Sequence, residues 1–177
     1  TAVGKGTAVA TSPTDIATSE TINNNISTAV AAGDTAGVNS AISNSVQQSL
    51  NSGASVSNAV STSVNSAISN GADANSSIST AVSTAIQNGS DVSQTVTASI
   101  DSAVSAGVNA SQAINTAVSS AITSGADVNQ VINSAVTSAI TSGSNTNLAI
   151  NNAVSAAIGA GANVNSAVTS AVTTAIN

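Results

Sequence analysis

The chain has 177 residues, and its one basic and seven acidic residues give a net charge of −6. It contains no His, Cys, Met, Trp, Tyr or Phe. Since these residue types supply most general bases, thiolate nucleophiles, soft metal ligands and base-stacking rings, we expect no enzyme, no cofactor, no metal site and no nucleic-acid partner.

Residues 1–17 depart from the pattern of the rest of the chain and include Lys5, Pro13 and Asp15. They are predicted to form an N-terminal arm or cap, because repeat arrays need capping segments, and residues 18–177 to form a single solenoid domain. The start at Thr1 fits a mature secreted protein. No apolar run reaches the 18 or so residues of a bilayer span, so we expect no membrane segment.

From about residue 20 onward the chain is a tandem array. The unit starting at Gly125 reads G-A-D-V-N-Q-V-I-N-S-A-V-T-S-A-I-T-S. The glycines that open successive units are 18 residues apart: Gly53, Gly71, Gly89, Gly107, Gly125, Gly143 and Gly161. Less regular units precede them, over residues 33–52 and around Ile22, Ile26 and Val30.

Within a unit, large apolar residues recur at every fourth position, as in Ile132, Val136 and Ile140, with Ala135 and Ala139 just before the last two. A strand would mix apolar and polar residues on both of its faces, whereas a helix gathers the apolar residues into one stripe. The pattern therefore predicts one short helix per unit.

The unit boundaries support this interpretation. Asp or Asn at the third and fifth positions, such as Asp127 and Asn129, can cap a helix start, and the glycine suits a left-handed helix end. The tight turns predict antiparallel neighbours, and burial of the apolar stripe requires a second layer. The predicted fold is all-α: a two-layer α-solenoid of about nine short antiparallel helices from 18-residue repeats.

Two other architectures are compatible with a period of 18. One uninterrupted helix would keep its stripe aligned, because 18 residues make 5 whole turns, although the glycines would destabilise it. A β-solenoid with coils of 18 residues is the third possibility.

Asp73, Asp91 and Asp127 occupy matching turn positions. They could suggest a ladder of calcium sites, but each turn offers one carboxylate where calcium takes six to eight oxygens. Helix capping is the better interpretation.

The tenth and fourteenth positions of each unit are predicted to point away from the core, because they lie opposite the Ile and Val stripe on a helical wheel. In one layer they are small: Thr62, Ser66, Ala98, Ser102, Ser134, Ser138, Ser170 and Thr174. In the other layer they include Thr80, Thr84, Thr116 and Ser120. Asp101 interrupts the surface formed by the first set, so this surface is continuous and uncharged only if Asp101 lies at its edge.

A flat, rigid, nearly uncharged array of hydroxyl and methyl groups suits a partner that is itself a regular grid of water, namely ice. The first set of eight residues is the predicted ice-binding site. Tandem G-A-D-V-N-x-x-I-x-x-A-V-x-x-A-I units without aromatic residues or Cys resemble the helical-solenoid antifreeze proteins suggested for crane flies, over about residues 20–177. The resemblance implies an insect protein that is secreted into body fluid and adsorbs to ice without catalysis.

The alternative function is a structural or adhesive repeat protein of a silk-like, cell-surface or filament-forming kind. The last unit ends on its apolar turn without an evident polar cap, which leaves a homodimer through that end open. Ice shaping by the purified protein separates the two functions.

Overall fold

A computed structural model describes residues 13–176 of the chain, and in that range the backbone forms helices joined by short turns, without strands. The helices are α1 (Pro13–Ala31), α2 (Thr35–Asn51), α3 (Val56–Ser69), α4 (Ala74–Gln87), α5 (Val92–Ser105), α6 (Ala110–Thr123), α7 (Val128–Thr141), α8 (Thr146–Gly159) and α9 (Val164–Ile176). None of these helices combines the length and the apolar character that crossing a membrane requires.

The helices form two layers. Each one packs against the next helix along the chain and against the helix after that. We call α1, α3, α5, α7 and α9 the odd layer, and α2, α4, α6 and α8 the even layer. The prediction of a two-layer α-solenoid is confirmed, and neither a single long helix nor a β-solenoid forms within the described residues.

The turns between α2 and α9 share one backbone hydrogen-bonding pattern, which the turn before α7 illustrates. Gly125 has φ +94°, its N–H donates to the carbonyl of Ile122 at 2.9 Å, and the next N–H, of Ala126, donates to the carbonyl of Ala121 at 3.0 Å. This is a Schellman motif, whose left-handed residue is favourable only for glycine. Asp127 then caps α7 by accepting from the N–H of Gln130 at 3.0 Å. The predicted helix ends and third-position caps are confirmed.

The core lies between the layers and is built from small and branched aliphatic side chains. In the central helices the Ile and Val residues at the eighth and twelfth positions are fully buried, as are the neighbouring alanines, such as Ala117 and Ala135. Those at the sixteenth position are half-buried, and Ile140 is 37% exposed. Burial of Ile22 and Ile26 in α1 shows that the less regular first unit joins the same core. Alanine lets neighbouring helices approach closely and evenly.

The predicted boundary between arm and solenoid, between residues 17 and 18, lies within α1. α1 begins at Pro13, so residues 13–17 form its first turn rather than part of an arm. Proline suits the first helical position because its missing N–H would have no intrahelical partner there. The rest of the predicted arm, with Lys5, lies outside the described residues.

Candidate functional site

The side chains predicted to form an outward-facing ice-binding surface do not reach solvent as expected. Ser66, Ala98, Ser102, Ser134 and Ser138 are buried, with Ser102 only 2% exposed. Thr62, Ser170 and Thr174 are half-buried. The predicted outward orientation of the tenth and fourteenth positions is therefore wrong. A flat ice surface cannot reach those of the side chains that are buried.

The error arises from where the helical wheel was centred. The prediction placed the outward direction opposite the Ile and Val row, whereas the alanines one position earlier, such as Ala135 and Ala139, are buried as completely as Val136. Because one residue turns a helix by about 100°, including both rows rotates the centre of the buried arc by about 50°. The outward direction rotates with it, and the fourteenth position moves into the contact between neighbouring helices of one layer.

Several of the predicted residues hold the odd layer together. The hydroxyl of Ser138 on α7 donates to the carboxylate of Asp101 on α5 at 2.6 Å. On α9, the hydroxyls of Ser170 and Thr174 donate to the amide oxygens of Asn129 and Asn133 on α7, each at 2.6 Å. We call these hydrogen bonds between same-layer helices the odd seam, and they fix the register of each helix against the one two units earlier.

The even layer has equivalent hydrogen bonds, which we call the even seam. Thr116 on α6 donates to the amide oxygen of Asn75 on α4 at 2.9 Å, and Gln112 donates to the same oxygen at 3.0 Å. Thr84 on α4 donates to the hydroxyl of Ser43 on α2 at 3.0 Å. Asn75 and Asn129, at the fifth position, were expected to cap helices but accept hydrogen bonds from a neighbouring helix instead.

The outward-facing residues come chiefly from the ninth and thirteenth positions. We call the set in the even layer the even surface: Ser43, Gln47, Ser79, Ser83, Asn115, Ser119, Asn151 and Ser155, all half-buried or exposed. The equivalent set in the odd layer is the odd surface: Ser61, Asn65, Thr97, Asp101, Asn133, Thr137, Thr169 and Thr173, of which only Ser61 is buried. Both surfaces carry short polar side chains.

The two surfaces differ in charge. The four helices of the even layer contain no charged residue. The odd surface includes the half-buried Asp101, which lies on α5, the middle helix of its layer, and accepts hydrogen bonds from Ser138 and Ser142. The condition that Asp101 lie at an edge is not met, so the odd layer is the poorer candidate for an ice-binding surface.

An open, shallow depression of about 590 Å³ runs over α4 and α6 on the even layer. Its lining is neutral: Asn39, Asn75, Ser76, Ser79, Thr80, Asn115, Thr116, Ser119 and Ser120. Amide and hydroxyl groups can each donate and accept hydrogen bonds, so water in this depression finds several partners at once. Thr80 and Thr116, on the alternative surface of the sequence prediction, are half-buried here, whereas Thr84 and Ser120 are buried.

The acidic residues of the turns serve as caps. Asp73, Asp91 and Asp127 each accept from a backbone N–H of their own helix, at 2.8 to 3.0 Å. Hydrogen bonds from Ser76 lower the pKa of the Asp73 carboxyl below its usual 3.8. Among the described residues no three His, Cys, Asp or Glu side chains group together as metal ligands would.

Sequence reasoning missed the seams, although they leave a signal in the sequence. The pairs Asn75–Thr116, Asn129–Ser170 and Asn133–Thr174 are each separated by 41 residues. That separation is two repeats plus five residues, which identifies a contact between helices two units apart. A search for Asn paired with Ser or Thr at this spacing would have assigned these side chains to packing.

A comparison of the chain with known protein families finds no matching family, and no curated protein is significantly similar to it.

Proposed function

We propose that this protein binds ice, and that the even surface makes the contact. The observation that carries the proposal is that four adjacent helices present short polar side chains with no charged residue among them. Following the resemblance noted in the sequence, the proposal includes secretion into an insect's extracellular fluid.

Charge matters because an approaching lattice must displace water from every group that it covers. Removing water from a carboxylate costs far more free energy than removing it from a hydroxyl or amide, whose hydrogen bonds a new water layer can replace. The even surface avoids this cost, whereas contact through the odd surface would desolvate Asp101.

Affinity for ice would come from many weak contacts made together. Each Ser or Thr hydroxyl contributes little, but the groups are fixed relative to one another by the core and by the even seam, so a lattice that meets one group meets the others in register. Short side chains also lose little rotamer entropy when they are immobilised. Rigidity of the solenoid is thus part of the binding mechanism.

The direct test is whether the purified 177-residue chain at micromolar concentration shapes ice crystals and separates the freezing from the melting temperature. The expected result is both effects. Crystals that grow as they do in buffer, with no gap between the two temperatures, would refute the proposal.

A matched pair of variants tests which surface binds. Ser119 on α6 and Thr137 on α7 both occupy the thirteenth position of their units and face outward on opposite layers. Ser119→Tyr should lower the freezing gap on the order of tenfold, because a protruding ring separates neighbouring contacts from the lattice. Thr137→Tyr should leave the gap unchanged. Circular dichroism confirms that both variants stay helical, and the reverse pattern would assign binding to the odd surface.

The second candidate function, a structural repeat protein, is favoured by a different observation. Val164, Val168 and Val172 on α9 are each more than two-fifths exposed, as self-associating proteins often display. A filament-forming protein would grow in mass with concentration without limit and would leave ice unchanged.

A further inference from the structure

Asparagine stands directly before a turn glycine at two places in the chain, where Asn70 precedes Gly71 and Asn88 precedes Gly89. In the other turns of the array that position holds Ser or Ala. Asparagine is a chemically labile residue. It is most labile before glycine, because glycine has no Cβ to hinder attack of its backbone nitrogen on the asparagine side chain. Both asparagines and both glycines are exposed, so water reaches them.

The reaction open to these pairs is loss of ammonia. The backbone nitrogen of the glycine attacks the side-chain carbonyl carbon, Cγ, of the asparagine. A new N–Cγ bond forms, and the amide nitrogen leaves as ammonia with the proton of the glycine N–H. Water then opens the five-membered imide ring, either at Cγ to give aspartate or at the main-chain carbonyl to give isoaspartate, whose main chain runs through Cβ. Water is the only co-reactant, and each event adds one negative charge.

The folded turns hold both pairs in a geometry that cannot react. A nearly planar ring requires the torsion Cβ–Cα–C–N to be close to zero, which places ψ of the asparagine roughly 120° from zero. The observed ψ values are 0° at Asn70 and 11° at Asn88. Rotating ψ so far breaks the hydrogen bond of the glycine N–H, which at Gly71 reaches the carbonyl of Ile68 at 3.0 Å. The reaction therefore requires the turn to open first.

The asparagine side chains themselves clamp these turns. Nδ2 of Asn70 donates to the carbonyl of Ser66 at 2.8 Å, and Nδ2 of Asn88 donates to the carbonyl of Thr84 at 2.8 Å. Conversion to a carboxylate replaces this donor by a negative oxygen that faces a carbonyl oxygen, at a helix end that already carries partial negative charge. The product is thus held less firmly than the reactant.

We propose that Asn70 and Asn88 are self-modification sites, at which the chain loses ammonia at a rate set by the opening of its own turns. Asn70 caps α3 in the turn that leads into α4, and Asn88 caps the end of α4. Conversion therefore loosens the even-layer helix that lines the depression and carries Ser79 and Ser83 of the even surface. Chemical ageing acts on both ends of this one helix.

The test is incubation of the 177-residue chain in mildly alkaline buffer, followed by mass spectrometry of peptides released by elastase. In the folded chain, the mass gain of amide-to-acid conversion is expected at residues 70 and 88 before any other asparagine. In guanidinium chloride, which unfolds the turns, both conversions should run at least about tenfold faster. Earlier conversion at another asparagine, or equal rates in the two conditions, would overturn the proposal. The measurement needs no ice, so it is independent of the proposed ice binding.

A variant that loosens one turn tests its control of the rate. Ser90→Pro eliminates the N–H that donates to the carbonyl of Ala85 at 3.0 Å, so the turn after α4 is weakened while its Asn-Gly pair is unchanged. Conversion at Asn88 should speed up about two- to tenfold, as expected for the loss of one hydrogen bond, with Asn70 in the same molecule as the unchanged standard. An unchanged rate at Asn88 in a variant that stays helical by circular dichroism would overturn the proposal.

A control variant removes both sites. Asn70→Ser combined with Asn88→Ser should show neither mass gain. It should also fold, because Ser52, Ser124 and Ser142 occupy the same position in other turns. Mass gain that persists in the corresponding peptides would place the modification at other residues and overturn the proposal.

Discussion

The odd and even layers are built from the same repeat, yet only one of them presents an uncharged outer surface. Their inner faces are equivalent: Ile132 in the odd layer and Ile114 in the even layer are both buried against the opposite layer. Both layers also have seams in which Ser or Thr donates to a helix two units earlier. On the outward rows the difference is Asp101, which belongs to the odd surface.

This comparison shows which positions of the repeat are constrained by folding. The core rows and the seam rows make the same contacts in both layers, so they must keep their residue types for the array to pack. The ninth and thirteenth positions lie mainly outside the core and carry different residues in the two layers, although Ser43, Asp101 and Asn133 also accept seam hydrogen bonds. A function carried by one layer should therefore be encoded in those two rows.

The largest expected effects test whether the layers share one core. Ile132→Ala and Ile114→Ala should each lower the free energy of unfolding by about 2–5 kcal/mol, since each leaves a cavity in a fully buried site. Val172→Ala, at a 43% exposed position, should cost clearly less. Denaturant unfolding monitored by circular dichroism gives all three values. A large difference between the two isoleucine variants would show that the layers fold as unequal partners.

The next effect concerns the seams. Ser138→Ala removes a hydrogen bond to a half-buried carboxylate and should cost about 1.5–3 kcal/mol, because hydrogen bonds to charged groups are the stronger ones. Thr116→Val removes a seam hydrogen bond to a neutral acceptor on the even layer and should cost about 0.5–1.5 kcal/mol. Both values come from the same unfolding measurement. Equal costs would mean that the charge of Asp101 contributes nothing to the odd seam.

Most of the fold could be predicted from local signals. The glycine period, the apolar row exemplified by Ile132 and Val136, and the cap at Asp127 each report on geometry within one repeat. These signals are sufficient because each helix and its turn follow from short-range hydrogen bonds and side-chain periodicity. Alternation between two layers then follows from the need to bury the row.

The candidate site could not be predicted in the same way, because exposure in an array depends on neighbours two units away. Ser138 and Thr137 are adjacent in the sequence, yet Ser138 is buried and donates a hydrogen bond to α5, whereas Thr137 is exposed. A helical wheel describes one helix against one core and leaves out the contacts on either side within a layer. The small residues at the tenth and fourteenth positions were interpreted as a flat outer surface, whereas several of them form hydrogen bonds between neighbouring helices.

A variant of Asp101 sharpens the comparison between the layers. Asp101→Asn removes the charge while keeping an oxygen that can accept from Ser138. In a chain whose even surface is blocked by Ser119→Tyr, this second change should restore part of the freezing gap, because the odd surface then becomes uncharged as well. Asp101→Asn alone should change the gap little. If the double variant stays inactive, charge is not what separates the two surfaces.

The smallest expected effect is a pH dependence arising at the start of α4 in the even layer. Hydrogen bonds from Ser76 lower the pKa of Asp73 below 3.8 in the folded state, so the unfolded chain binds a proton at this site more readily than the folded one. Its contribution is therefore fully present above about pH 4 and is lost as the pH falls through the lowered folded-state pKa. Asp73→Asn keeps a capping oxygen that does not titrate, so the unfolding midpoint of the variant should fall less steeply between about pH 5 and about pH 2 than that of the unchanged chain. Parallel pH profiles would show that the cap contributes equally whether or not it is charged, and that the neutral caps of α6 and α8, Asn109 and Asn145, are equivalent to it.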